Sequence, residues 1–89
     1  MNIEFEITQE DIDNGIPLSE NMCAVALALK RKGYKVLSVS VVDIQMHKKN
    51  NPEDGGIYLS SPELRDFIFD FDNDSTSVKP GKYTLIGKP

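Results

Sequence analysis

Ser19-Glu20-Asn21-Met22-Cys23-Ala24-Val25-Ala26-Leu27-Ala28-Leu29-Lys30-Arg31-Lys32-Gly33 is the stretch whose reading decides the fold. Every residue from Met22 to Leu29 is apolar, and three cations and a glycine follow at once. A helix that is apolar on all sides is enclosed by other elements, whereas a surface helix keeps one wet face. Ser19 offers an N-cap and Glu20 an acid in the first turn. Lys30, Arg31 and Lys32 complement the far end of the dipole, and Gly33 supplies a left-handed exit. The stretch reads as a buried central helix, with Leu27 as a core contact and Cys23 filling a tight space against a sheet.

Strands are expected on both sides of it. Ile3, Phe5 and Ile7 alternate with Glu4 and Glu6, the period of a half-buried strand. Thr8 to Gly15 follows with a helix-start residue, early acids and an Asn-Gly exit, which predicts one short helical turn anchored by Ile12. Ile16-Pro17-Leu18 breaks that turn. After the central helix, Tyr34 to His47 alternates but changes phase at Val41-Val42, which predicts a bulged long strand. Lys48 to Gly56 has no apolar residue and reads as an exposed connection. Ile57 to Ser60 is a short strand. Ser61, Pro62 and Glu63 then give a cap, a proline at the first helical position and an acid. Leu64, Phe67, Ile68 and Phe71 form one apolar face, with Arg65, Asp66, Asp70 and Asp72 pointing away and Phe69 off the face. Lys82 to Ile86 is the last strand.

The expected class is α+β in the order β-α-β-β-α-β: a four-stranded, mainly antiparallel sheet with two helices on one face, the ferredoxin-like order. At 89 residues and 10.0 kDa the chain supports a single domain, 1–89, with one core. A net charge of -4 and a pI near 4.8 argue against direct binding of nucleic acid, whose phosphates call for clustered Lys and Arg. They favour a partner with a basic surface. One cysteine makes no internal disulfide and suits a reducing compartment. No leader pattern appears, and no apolar run approaches the roughly 20 residues that cross a bilayer. A cytoplasmic protein without membrane contact is expected.

The chemistry-bearing residues point away from an enzyme. Asp70-Phe71-Asp72-Asn73-Asp74 has carboxylates at alternate positions like a calcium loop, but Ser75 stands where the sharp turn needs glycine and Gly81 where a bidentate glutamate is required. His47 has no orienting partner or nucleophile beside it in sequence. Cys23 lies in an apolar helix, where a thiol is inert. Gly55-Gly56 precedes a strand and opens no helix, so it does not form a phosphate loop. No catalytic residue, metal site or cofactor is expected. Basic residues gather at Lys30 to Lys35 and Lys48-Lys49, and acids gather at positions 4, 6, 10, 11 and 13 and at 63, 66, 70, 72 and 74.

One resemblance spans nearly the whole chain. Thr8-x-Glu10-x-Ile12-Asp13-x-Gly15, then Cys23-Ala24-Val25-Ala26-Leu27-Ala28-Leu29, and later Phe67-Ile68-x-x-Phe71-Asp72 with Val78-x-Pro80-x-x-Tyr83-x-Leu85, resembles a family of small phage and prophage proteins. Ala24 stands where that family often has proline, and the basic loop after Met46 is this chain's own. The family carries no activity over. The resemblance implies a small acidic protein acting inside a host cell, of a kind that often binds and blocks a host component such as a CRISPR effector or a restriction enzyme.

The function expected is therefore a non-enzymatic inhibitor that binds a basic host protein, with Asp66, Asp70, Asp72, Asp74 and Phe69 as the contact residues. Two alternatives remain: a small-ligand or metal module on the open sheet face or at His47, and a self-associating structural protein. The last would form a homodimer seam from Phe69 and the second strand.

Overall fold

The computed structural model describes residues 2–48 and 51–87, and their side chains apart from those of residues 51–54. Eight elements follow one another: β1 (Asn2–Ile7), α1 (Gln9–Asn14), α2 (Ala24–Lys32), β2 (Tyr34–Val39), β3 (Asp43–Lys48), β4 (Asn51–Ser60), α3 (Pro62–Asn73) and β5 (Gly81–Gly87). The class is α+β, but the sheet has five strands in the order β1-β5-β4-β3-β2, every pairing antiparallel. The ferredoxin-like order is thereby corrected. β1 lies at an edge and pairs with β5, and three helices, counting the short turn, cover one face.

The fifth strand comes from the segment read as one long strand. Ser40 to Val42 is a tight connection, not strand: the Ser40 N–H donates to the Asp43 carbonyl at 2.8 Å, and the Ser40 hydroxyl donates to the Asp43 carboxylate at 2.9 Å. The change of phase at Val41-Val42 marks a hairpin. A bulge does exist, but earlier, where the register slips between Val36 and Ser38. It turns Leu37 to the open face while Val36 and Met46 stay buried opposite each other. The supposed connection from Lys48 to Gly56 is also corrected, since β4 starts at Asn51 and pairs with Lys48. Lys49 of the basic pair lies outside the described residues.

The core forms where every strand turns its inward parity toward the helices. Ile3, Phe5 and Ile7 of β1, Val36 of β2, Ile44 and Met46 of β3 and Leu85 of β5 join Val25, Leu29, Leu64, Phe67, Ile68 and Phe71 in one buried cluster. α2 packs against both edge strands, β1 and β2, so the sheet curls around it. Ala24, Ala26 and Ala28 make that possible, because small side chains let the helix axis come close to the strands. Leu29 is fully buried, worth about 1.5–3 kcal/mol of transfer free energy. Leu27, singled out from sequence, is only half-buried, so Leu29 is the residue that anchors this helix.

The entry to α2 also differs from expectation. Cys23, not Ser19, is the N-cap, and its side chain makes no capping bond. Ser19 instead accepts the Met22 N–H at 3.1 Å inside the preceding loop. Gly15 explains how that loop fits: a Cβ there would lie 2.6 Å from the Ala24 nitrogen and 2.8 Å from the Asp11 carbonyl. The Gly33 exit is as expected, with φ 113° and its N–H on the Leu29 and Lys30 carbonyls.

Candidate functional site

α3 presents the surface on which four of the five expected contact residues originate. Ser61 caps it, accepting the Leu64 N–H at 3.4 Å, and Pro62 occupies the first turn. Leu64, Phe67, Ile68 and Phe71 are buried as the spacing predicts. Phe67 packs on Tyr83 of β5 with ring centroids 5.1 Å apart and stacks on Phe71 at 6.1 Å. With that face fixed, 3.6 residues per turn send Phe69 outward, and it is 60% exposed. Asp66 and Asp70 are exposed on one side of Phe69, and Asp72 falls on the other.

The four carboxylates do not form one set. Among the described residues, no hydrogen bond or ion pair ties the carboxylate of Asp66 or Asp70, so both side chains are free at the surface. Asp72 is half-buried, and its Oδ1 accepts the Leu18 N–H at 2.9 Å, so it holds the loop before α2 and does not point freely away. Asp74 caps the helix end and accepts from the Thr76 hydroxyl at 2.6 Å and the Thr76 N–H at 3.0 Å. Those two donors hold its carboxyl below its ordinary value. The surface is thus Asp66, Phe69 and Asp70, with Asp72 and Asp74 as local fastenings.

Arg31 leaves the basic cluster in the same way. Its Nη1 donates to both carboxylate oxygens of buried Asp11 at 2.7 Å, and its Nη2 donates to the Glu6 carbonyl at 2.9 Å. Asp11 also completes a capping box with Thr8. This group ties β1, α1 and α2 together. Lys30 is drawn back onto the Asn21 carbonyl at 2.6 Å and the Met22 sulfur at 3.4 Å.

The remaining candidates are placed as follows. Cys23 is buried, and burial pushes its thiol up from its ordinary 9.0, which leaves it protonated and unreactive near neutrality. His47 Nδ1 lies 2.8 Å from the Lys48 carbonyl. It borders a shallow depression of about 340 Å³ on the open sheet face, with Leu37, Gln45, Gly56 and Ile57. Among the described residues, no three His, Cys, Asp or Glu side chains cluster as a metal site, and no helix is long and apolar enough to cross a membrane. Leu37 faces the open side of the sheet while Phe69 faces out from the helical side, so the two expected seam residues lie on different faces of the chain.

Sequence reasoning missed Leu18, which is 79% exposed in the loop that Asp72 holds. The available signal was Ile16-Pro17-Leu18-Ser19, a proline turn with leucine where glycine is usual. Comparison with protein-family models, with curated proteins and with solved structures returns no match for this chain, so its own geometry carries the functional reading.

Proposed function

We propose that the chain is a non-enzymatic binding protein that covers a basic surface on a host protein, as phage inhibitors of CRISPR or restriction complexes do. The observation that carries it is the exposed Phe69 on α3 with two untied carboxylates, Asp66 and Asp70, on one side of it. An exposed aromatic can anchor an interface because the ring supplies area, and carboxylates at its rim supply orientation. The acidic balance and the buried, protonated thiol support the same reading. The tagged chain, incubated with bacterial lysate at moderate salt, is expected to retain a protein that an Asp66→Lys/Asp70→Lys double variant releases. Retention of nothing, or of the same protein by both, refutes the proposal.

A second reading, a small apolar ligand on the open sheet face, is favoured only by the depression beside Leu37 and Ile57. A ligand that binds only the native state raises the melting temperature. A panel of small apolar compounds that leaves it unchanged excludes this reading.

A further inference from the structure

Leu18 occupies a position that turn chemistry reserves for glycine. The Ser19 N–H donates to the Ile16 carbonyl at 3.3 Å, closing a four-residue turn with Pro17 second and Leu18 third. Leu18 has φ 65° and is the one non-glycine residue with positive φ among the described residues. This is the type II pattern, whose third residue is normally Gly or Asn. A bulky residue in that region is strained. Strain of this kind is ordinarily offset by burial, yet Leu18 is the most exposed large apolar side chain among the described residues.

The strain therefore returns no packing; it returns position. Asp72 holds the Leu18 N–H, and the Ile16 N–H donates to the Met22 carbonyl at 2.8 Å, so the turn is pinned on both sides. Asp72 lies one helical turn beyond Phe69, on the side opposite Asp66. The Leu18 backbone is thereby held against the turn of α3 that follows Phe69.

We infer that Leu18 is the second apolar anchor of the Phe69 surface, and that the occupant is a partner protein whose apolar pocket is rimmed by lysines and arginines. This rests on the docking reading of α3. Charge selects among occupants. Asp66 and Asp70 lie on one side of Phe69, and exposed Glu20 follows the turn, while Lys30 and Arg65 are drawn back onto the Asn21 and Ser60 carbonyls. In a two-fold contact between copies the patch meets itself, setting carboxylate against carboxylate. A basic-rimmed pocket meets both the knobs and the acids.

The test uses the full chain, labelled with ¹⁵N, and a designed amphipathic helical peptide of leucine and lysine, with a leucine and glutamate peptide as control. The lysine peptide alone is expected to shift the amides of Leu18, Asp66, Phe69 and Asp70. Leu18→Gly is expected to weaken its binding about 5-fold or more, while the melting temperature holds or rises. A fall in melting temperature makes Leu18 a structural residue and overturns the inference. Shifts on α3 with unchanged Leu18→Gly affinity overturn the anchor alone and leave the docking reading standing. No shift on α3, equal shifts with both peptides, or self-association through these residues overturns both.

Discussion

Gly15 and Cys23 show how single residues set the approach to the central helix. At Gly15 the obstacle to a side chain is backbone on both sides, the Ala24 nitrogen and the Asp11 carbonyl, which cannot swing aside as a flexible side chain would. Gly15→Ala is expected to destabilise the fold by about 1–3 kcal/mol, read as a lower urea midpoint. Cys23 acts through pH as well as volume. Burial raises its folded pKa above the ordinary 9.0, with the Asp72 charge adding to the rise. The native state therefore keeps a proton that the unfolded chain releases, so this contribution is complete below about pH 9 and is lost as pH climbs toward the folded value. Tyr83, raised by burial from 10.0, acts in the same direction at higher pH. Cys23→Ala should cost about 1 kcal/mol at neutral pH. It should also flatten the decline in melting temperature above pH 9, and an unchanged alkaline slope would refute the assignment.

At the scale of elements, α3 was legible in the sequence and the region after α2 was not, for physical reasons. The α3 start is written in local chemistry, since Ser61, Pro62 and the spacing of Leu64, Phe67, Ile68 and Phe71 each act within one or two turns. Ser61→Ala is accordingly expected to cost about 1 kcal/mol, measurable by thermal unfolding. The hairpin of β2 and β3 depends on which residues pair across it. Val41 and Val42 look like strand, and only the Ser40 bonds to Asp43 turn them into a connection. Of β4, Ile57 to Ser60 was legible and the part before it was hidden by its composition, because glycines and polar residues were carried into strand by pairing with β3. The proposed docking surface was half legible: the outward position of Phe69 follows from helical period, whereas the diversion of Asp72 to Leu18 is a contact between residues far apart in sequence. The same distinction bears on α2. Its all-apolar run gave burial but not rank, and Leu29→Asp should abolish cooperative folding where Leu27→Asp leaves a weakened but cooperative transition. Circular dichroism melts of the two variants check that ordering.

For the whole molecule, the decisive fact is that one helix touches both edges of the sheet. β1 and β2 stand at opposite ends of the strand order, yet α2 packs on each, so the sheet must stay curled for the core to close. Apolar contact supplies most of the closure, but it is not directional. Direction comes from Arg31, which holds the Asp11 carboxylate and the Glu6 carbonyl together and so fixes β1 against the last turn of α2. Its side chain is 49% exposed, and solvent screening discounts the pair accordingly, while Asp11 at 8% has little access to water if its partner is removed. Arg31→Leu should therefore cost more than the pair contributes, about 1–3 kcal/mol, because the buried Asp11 carboxyl is left without its guanidinium partner. A double-mutant cycle with Asp11→Asn should return a smaller coupling of about 0.5–1.5 kcal/mol. Amide exchange in β1 should accelerate in Arg31→Leu while β3 and β4, central and paired on both sides over part of their length, stay protected. Equal acceleration in every strand would mean that the sheet opens as one unit and that Arg31 does not set its curl.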